Sequence, residues 1–298
     1  MSKPRHLITG TELTRAELEE LIDRAVELKQ ANGVSHPLAG MSVGMIFEQP
    51  STRTRVSFEV GVAQLGGTPV VLRGDELQVS RGESPRDTAM VLSRYLDAIV
   101  ARVGDHALIE ELAAYATVPV VNSLTPLHHP CQALADLLTL HERFGRLEGL
   151  RIAYVGDGNN VCHSLMLLGA TAGVTVAAAT PPELRPVPEI VSQARAWAEL
   201  TDDPAEAAAG AHALYTDVWV SMGDEAEAAD RRRLLAPYRL DSDLLAIARD
   251  DAVVMHCLPA HPGEEITEEL LYGERSAVWD QAENRLHAQK ALLEMLLT

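Results

Sequence analysis

Residues 41–67 read MSVGMIFEQPSTRTRVSFEVGVAQLGG. The opening 41–47 is an apolar run of strand length, EQPSTRTR is a polar loop, and 56–65 has helical spacing before stopping at Gly66 and Gly67. Glycine just past the last periodic residue marks a helix end. A strand that feeds a helix through a polar loop is half of a β–α–β unit, and the same alternation extends both ways along the chain. Upstream, Thr14 and Glu17 make a capping box for a helix over 14–30, with Leu18, Leu21, Ile22, Ala25 and Leu28 on one face. Downstream, strands are expected at 70–72, 98–101 and 119–121, and helices at 84–95, 105–116 and 132–144. The pattern restarts at Gly149. Strands are expected at 151–155, 174–179, 213–216, 252–255 and, last and shortest, 277–279, with helices at 160–172, 187–199 and a closing 281–297. The segment 224–236, rich in Ala, Arg and acid, reads as a solvated helix or mobile loop. Alternation of this kind means parallel sheets, and two runs of it mean two α/β domains.

Bulk composition agrees. The 298 residues suffice for two domains of roughly 150 residues each. Hydrophobic content is 47% but aromatic content only 4%, so the core must be Ala, Leu and Val, which suits helices packed on a parallel sheet. A net charge of −18 repels nucleic acid and anionic membrane. It also repels phosphate at long range, so any anion site has to be a local, preorganised cluster of Arg and backbone N–H groups. Cys131, Cys162 and Cys257 form no CxxC pair, which argues against a disulfide framework or structural zinc and fits a reducing cytosol. The start MSKPRHLITG has no apolar signal core, and no apolar run reaches about 18 residues. A cytoplasmic protein without membrane or nucleic-acid partners is expected.

Ligands in open α/β sheets bind beyond the carboxyl ends of strands. Polar motifs follow the strands ending near Phe47, Val121, Thr216 and Met255, and they are expected to build one site between the domains. The first is Ser51-Thr52-Arg53-Thr54-Arg55. Backbone N–H groups at a helix start bind phosphate, the three hydroxyls add donors, and Arg53 adds a permanently charged fork. No Walker lysine is present, so this is not a nucleotide P-loop. In His129-Pro130-Cys131-Gln132, a neutral His can donate to a carbonyl and Gln can accept from an NH₂ group; taken alone, the string also fits a helix-capping His. Arg102 ends the apolar run AIVAR, where a lone charge needs a partner. Gly156-Asp157-Gly158-Asn159-Asn160 follows a strand, yet Val161 stands where a dinucleotide fingerprint has its third glycine, so no nicotinamide cofactor is expected. Asp217, in DVWVSMG, could cradle an ammonium group or cap a turn. Cys257, in HCLP, could be a nucleophile or a buried structural thiol.

The stretch FEQPSTRTRVSFEVGVAQLGG resembles the carbamoyl-phosphate loop of the aspartate and ornithine carbamoyltransferases, and the resemblance extends over essentially the whole chain. It implies that Ser51, Thr52, Arg53 and Thr54 grip phosphate, and that Arg102 contacts the phosphate and carbonyl oxygens. It assigns His129 and Gln132 to the carbamoyl group, and Arg285 to a further carbamoyl-phosphate contact. Gln78, in DELQVSRGES, is implied to reach the active site of the next subunit, which means a homotrimer or a multiple of trimers. Cys257 and the main-chain carbonyl of Leu258 are implied to touch the carbamoyl NH₂ and the reacting amine without a covalent intermediate. DVWVSMG is similar to a loop of the ornithine enzymes that aspartate enzymes lack, which implies that Asp217, Ser221 and Met222, with Asn160, hold ornithine. Gln49, Pro50, Ser80 and Pro262 depart from common family residues. The expected reaction moves the carbamoyl group of carbamoyl phosphate to the side-chain amine of L-ornithine, giving L-citrulline and phosphate. Arg102, His129 and Thr54 would stabilise the oxyanion, with no metal or cofactor. The expected fold is a pair of parallel sheets flanked by helices. A carbamoyl-phosphate domain (1–140), completed by a closing helix (283–298) that packs back on it, precedes an ornithine domain (141–282).

Overall fold

The computed structural model describes residues 4–31, 36–74, 82–220 and 225–298. The chain divides into two compact units, Met1–Leu138 with Asn284–Thr298, and Thr139–Glu283. Each is built on its own parallel sheet.

The first unit opens with Arg15–Gln30 (α1). The Thr14 hydroxyl accepts from Glu17 N while the Glu17 carboxylate accepts from Thr14 N, which satisfies two donors that a helix start otherwise leaves orphaned. There follow Ser42–Phe47 (β1), Thr52–Gln64 (α2), Thr68–Arg73 (β2), Pro85–Leu92 (α3), Ala98–Arg102 (β3), His106–Tyr115 (α4), Val120–Leu124 (β4) and Pro130–Phe144 (α5), whose start belongs to this unit. Among the described residues the strands are parallel in the order β2-β1-β3-β4. Winding therefore reverses between β1 and β3, and a crevice opens at such a switch point beyond the strand ends. Phe47 pairs with Arg102 across it. The register slips between Ala101 and Arg102 where β3 meets β4, an irregularity of the kind that re-aims a side chain.

The helix expected from residue 56 in fact begins at Thr52, so STRTR is mostly a first helical turn rather than a loop. Its Ser, Thr and Arg residues carry no apolar period, which is why the pattern hid it. Ser51 is the N-cap but makes no side-chain capping bond, and no acidic residue lies in the first turn. The end of α2 is where expected, with Gly66 at φ +81°, a left-handed conformation that glycine adopts without strain.

The second unit contains Arg151–Val155 (β5), Asn160–Ala172 (α6), Thr175–Ala179 (β6), Pro188–Ala194 (α7), Ala198–Thr201 (β7), Pro204–Ala208 (α8), Ala213–Thr216 (β8), Ala228–Leu235 (α9), Ser242–Leu245 (α10), Val253–His256 (β9) and Glu268–Tyr272 (α11). The last helix, Val278–Leu297 (α12), begins in this unit and ends in the first. Its later residues pack back on the first unit as expected: Lys290 Nζ donates to Gln64 Oε1 of α2 at 2.9 Å, and Glu294 pairs with Arg24 of α1 at 3.0 Å. The sheet order is β7-β6-β5-β8-β9, all parallel. Here the switch point lies between β5 and β8, tied by Thr216 Oγ1 donating to Val155 O at 2.7 Å. The core around this sheet is built from Ala153, Val155, Ala177, Ala179, Leu214 and Val254, in keeping with the aromatic-poor composition.

Three expectations for this unit need correction. The helix expected at 187–199 stops at Ala194, where Arg195 takes φ +54°, and β7 follows. β7 lies at the sheet edge with half-exposed or exposed side chains, so it lacks the apolar run of a central strand. The strand expected at 277–279 is instead Ala277 and the first residues of α12, with Val278 buried and Trp279 exposed, and among the described residues only a single bridge joins Ser276 to Val254. A short apolar run cannot separate these cases. Within 224–236, α9 is not wholly solvated. Arg231 is buried, pairs with Asp157 and donates from Nε to Trp219 O at 3.0 Å. No described helix is long and apolar enough to cross a membrane.

Candidate active site

In the first unit, cationic groups gather at the β1–β3 switch point. Arg102 is 7% exposed, and its Nε finds no acceptor among the described residues. Burial, then the neighbouring Arg285 and Arg53 guanidinium groups, push its pKa down to about 10. Arg285, reaching in from α12, donates from Nη1 to Gln132 Oε1 at 2.8 Å and from Nη2 to Thr54 Oγ1 at 2.9 Å. Gln132 in turn donates from Nε2 to Asp136 Oδ1 at 2.8 Å. Its amide is thereby oriented, with one lone pair of Oε1 taken by Arg285. Thr54 is buried, Ser51 half-buried, and Thr52 and Arg53 exposed at the start of α2. His129 is buried beside Arg285 and Arg102; desolvation and those two cations hold its imidazole well below its ordinary pKa. It is therefore neutral at neutral pH and able to donate a hydrogen bond. The cations repel one another at a helix start whose first turn carries no acid, an arrangement that favours an anionic ligand. Around this cluster Arg55 pairs with Glu59 at 3.0 Å. The Cys131 thiol, pushed up to about 12 by burial, packs against Asn122 O.

His129 gives the fold a pH dependence with a definite sign. Its folded pKa is depressed, so as pH falls through the ordinary imidazole range the unfolded chain gains a proton that the folded chain refuses. Stability should then fall with pH by up to about 1.4 kcal/mol per unit. His129→Gln removes this contribution. Calorimetry from about pH 7 down to about pH 5 is expected to show a smaller drop in melting temperature for the variant than for the parent. Equal drops would mean that folded His129 takes up the proton.

In the second unit, the carboxylate of Asp217 lies at the β5–β8 switch point, 8% exposed. Its Oδ2 accepts from Asn159 Nδ2 at 2.7 Å, and its Oδ1 accepts from Val218 N and the Cys257 thiol, both at 2.8 Å. Among the described residues, then, the hydrogen-bond partners of Asp217 are all neutral. Asn160 is the first residue of α6 and half-buried. The turn bearing Cys257 and Leu258 is scaffolded from below. Leu258 N donates to His256 Nδ1 at 2.9 Å, His256 Nε2 lies 3.1 Å from Glu265 Oε1, and His256 N donates to Gln281 Oε1 at 2.9 Å. Leu258 sits at φ +59°, a left-handed conformation that costs a non-glycine residue about 1–3 kcal/mol and clusters at functional sites.

The glycine run before α6 has a local explanation. A Cβ on Gly158 would meet Pro186 N at 2.4 Å and Leu184 O at 2.6 Å, so this glycine admits the chain's own backbone rather than a pyrophosphate. Two groups could supply metal donors within 4.8 Å of one another among the described residues: Asp217, His256 and Cys257, and His261, Glu264 and Glu265. In both the donors are already engaged, Asp217 with Cys257, and Glu264 with Arg232 at 2.9 Å.

Of the residues singled out from sequence, the structure gathers Arg53, Thr54, Arg102, His129, Gln132 and Arg285 in the first unit, and Asp217 with Cys257 in the second. Gln78, Ser80, Ser221 and Met222 lie outside the described residues. Sequence reasoning missed Asn159, His256 and Glu265, all of which position a site residue. Their signal is a buried or half-buried polar side chain, at the end of β9 for His256, at a helix N-cap for Asn159 and in the segment before α11 for Glu265, weak until partners are known.

A family model described as the aspartate/ornithine carbamoyltransferase carbamoyl-P binding domain matches residues 5–142. The same family's Asp/Orn binding domain matches residues 148–296. The chain belongs to the aspartate/ornithine carbamoyltransferase family. An ornithine carbamoyltransferase of Methanoculleus marisnigri is 58% identical over 287 residues, covering 94% of this chain and 93% of the relative. One from Acidothermus cellulolyticus is 55% identical over 301 residues, covering 98% and 96%. Among solved structures, the ornithine carbamoyltransferase of Pyrococcus furiosus superposes with a TM-score of 0.95 at 48% identity, covering 99% of this chain and 97% of that one. The Thermus thermophilus enzyme gives 0.92 at 45% identity with full coverage of both, 100% each. Within the carbamoyltransferase family, the carbamoyl-P model covers the anion cluster except Arg285, and the Asp/Orn model covers Asn159, Asp217 and Cys257.

Proposed function

We propose that the chain transfers the carbamoyl group of carbamoyl phosphate to the side-chain amine of L-ornithine, giving L-citrulline and phosphate. The observation that carries the choice of acceptor is Asp217, a carboxylate whose hydrogen-bond partners among the described residues are neutral, held beside Cys257. An α-ammonium group supplies the missing charge. Aspartate as acceptor would bring two further carboxylates to the same neighbourhood.

Carbamoyl phosphate is held by Ser51, Thr52, Arg53 and Thr54 at the start of α2, with Arg102, Arg285, His129 and Gln132. Gln78 completes this set from a neighbouring subunit. Ornithine is held by Asn160, Asp217, Ser221 and Met222. The neutral side-chain amine attacks the carbonyl carbon, forming the C–N bond and an oxyanion. Arg102, neutral His129 and the Thr54 hydroxyl donate to that oxyanion; removing one such donor typically costs about 10²–10³ in kcat. The C–O bond to phosphate then breaks, the arginines hold the leaving dianion, and the phosphate takes the proton lost by the amine. Cys257 and the Leu258 carbonyl orient the two nitrogens and form no covalent bond. No step calls on a metal or cofactor.

A homotrimer, or a multiple of trimers, with shared sites goes with this reading. Met90, Val91 and Tyr95, exposed on and just after α3, support an assembled form. A cytoplasmic location fits three cysteines that no disulfide joins.

Colorimetric assay of ureido products from carbamoyl phosphate with ornithine, putrescine, Nα-acetylornithine and aspartate tests the reading. Product with ornithine well above the other three is expected; no product with ornithine, or more with another amine, would sink it. The anion cluster makes a second expectation. Inorganic phosphate at a hundred times its Kd should stabilise the protein by about 2.7 kcal/mol, seen as a rise in melting temperature that an equal ionic strength of chloride does not reproduce.

A further inference from the structure

The geometry points to Asn159 as a positioning residue that orients the Asp217 carboxylate for the acceptor's ammonium group, a role that rests on the function proposed above. Asn159 precedes α6 and is its N-cap. Three donors converge on its Oδ1: Val161 N at 3.0 Å, Cys162 N at 3.3 Å and the Tyr154 hydroxyl at 3.1 Å. An amide in such a setting has one sensible orientation. Flipping it would set its NH₂ group against two backbone N–H donors and a phenol. The phenol itself stays a donor, because burial and then the nearby Asp217 charge push the Tyr154 pKa well above its ordinary value.

With Oδ1 fixed, Nδ2 has to face Asp217, and it donates to Oδ2 at 2.7 Å. This bond, with Val218 N and the Cys257 thiol on Oδ1, holds the carboxylate on both oxygens. Because Asn159 is neutral, it fixes the direction of the charge without cancelling it. A lysine or arginine in its place would orient Asp217 equally well but compete with the substrate cation. The chain of orientation runs from the start of α6 through Asn159 to Asp217.

Asn159→Asp separates this role from helix capping. One carboxylate oxygen still accepts from Val161 N and Cys162 N, so the cap survives. The other now faces Asp217 Oδ2 where an NH₂ group stood, and two carboxylates so close do not both ionise. While the pair holds one proton, its O–H replaces the amide donor and ornithine should bind much as in the parent. Once both carboxylates ionise at higher pH, the donor is gone and the KM for ornithine is expected to rise about ten- to a hundredfold, the loss expected for a hydrogen bond to a charged group. The KM for carbamoyl phosphate and the melting temperature should change little. The deficit relative to the parent should therefore widen as pH rises, a trend that a purely structural lesion would not show. An unchanged KM for ornithine across the pH range would overturn the assignment. Should Asn159→Asp fold poorly, Asn159→Ser keeps a capping oxygen without the amide donor, and the same rise in KM is expected. If the parent itself makes no citrulline, the proposed function fails, and the crystal structure of Asn159→Ser still decides the positioning role. A displaced Asp217 carboxylate supports it; one with its bonds to Val218 and Cys257 intact overturns it.

Discussion

Arg102→Met is expected to raise the melting temperature of the ligand-free protein while lowering kcat by at least about a hundredfold. Both effects come from one fact. Arg102 is a buried cation with Arg285 and Arg53, also cations, as near neighbours, and its Nε has no acceptor among the described residues. In the folded chain without an anion, that charge is desolvated and repelled. Replacing even a buried ion pair with apolar side chains of similar volume is often neutral or stabilising by about 1–4 kcal/mol. Methionine follows the path of the arginine stem and keeps the packing beside β3. The lost function is the donor to the developing oxyanion and one of the charges that hold the leaving phosphate. Calorimetry without phosphate, paired with the citrulline assay, checks both halves. Phosphate should stabilise the parent more than the variant, because the variant has less repulsion for the anion to relieve. A variant that melts lower and keeps its activity would show that Arg102 has a structural partner and no role in transfer.

The same physics explains what could be read from sequence. β1, β3, β5, β6 and β8 were legible because central parallel strands are buried on both faces and appear as unbroken apolar runs. β7 was not, because an edge strand such as Ala198–Thr201 has no such run. The capping box at Thr14 and Glu17 was legible because two residues at fixed spacing suffice for it. The start of α2 was not, because helix N-termini that receive ligands have polar sequences resembling loops. Arg102 announced itself as a charge at the end of an apolar strand. Arg285 did not: nothing in DQAENRLHAQK distinguishes an arginine that turns inward to Thr54 and Gln132 from one that faces water, and only family resemblance singled it out. Asn159 sat in a glycine-rich string whose obvious comparison was a dinucleotide fingerprint. Its use appears only once β5 and β8 are adjacent and Asp217 is 2.7 Å away. Contacts made across sheet topology are settled by strand order, which local sequence does not encode.

Asp217→Asn is expected to collapse discrimination between ornithine and 5-aminopentanoate, which is ornithine without its α-ammonium group. In the parent, kcat/KM should strongly favour ornithine, because only ornithine neutralises a carboxylate that is 8% exposed and bonded to neutral groups. Removing one partner of such a buried ion pair costs about 3–5 kcal/mol, so kcat/KM for ornithine should fall by a factor of about a hundred or more. The amine lacking the α-ammonium never made that pair and should lose far less. The ratio is the informative quantity. Asparagine at this position presents an awkward donor to either Asn159 Nδ2 or Val218 N, and any resulting shift of the β8 end handicaps both amines alike. A selective loss for ornithine therefore reports the missing charge and not the disturbed loop. Parallel losses for the two amines would mean that Asp217 merely holds its turn, and the acceptor's ammonium would then have to be recognised elsewhere.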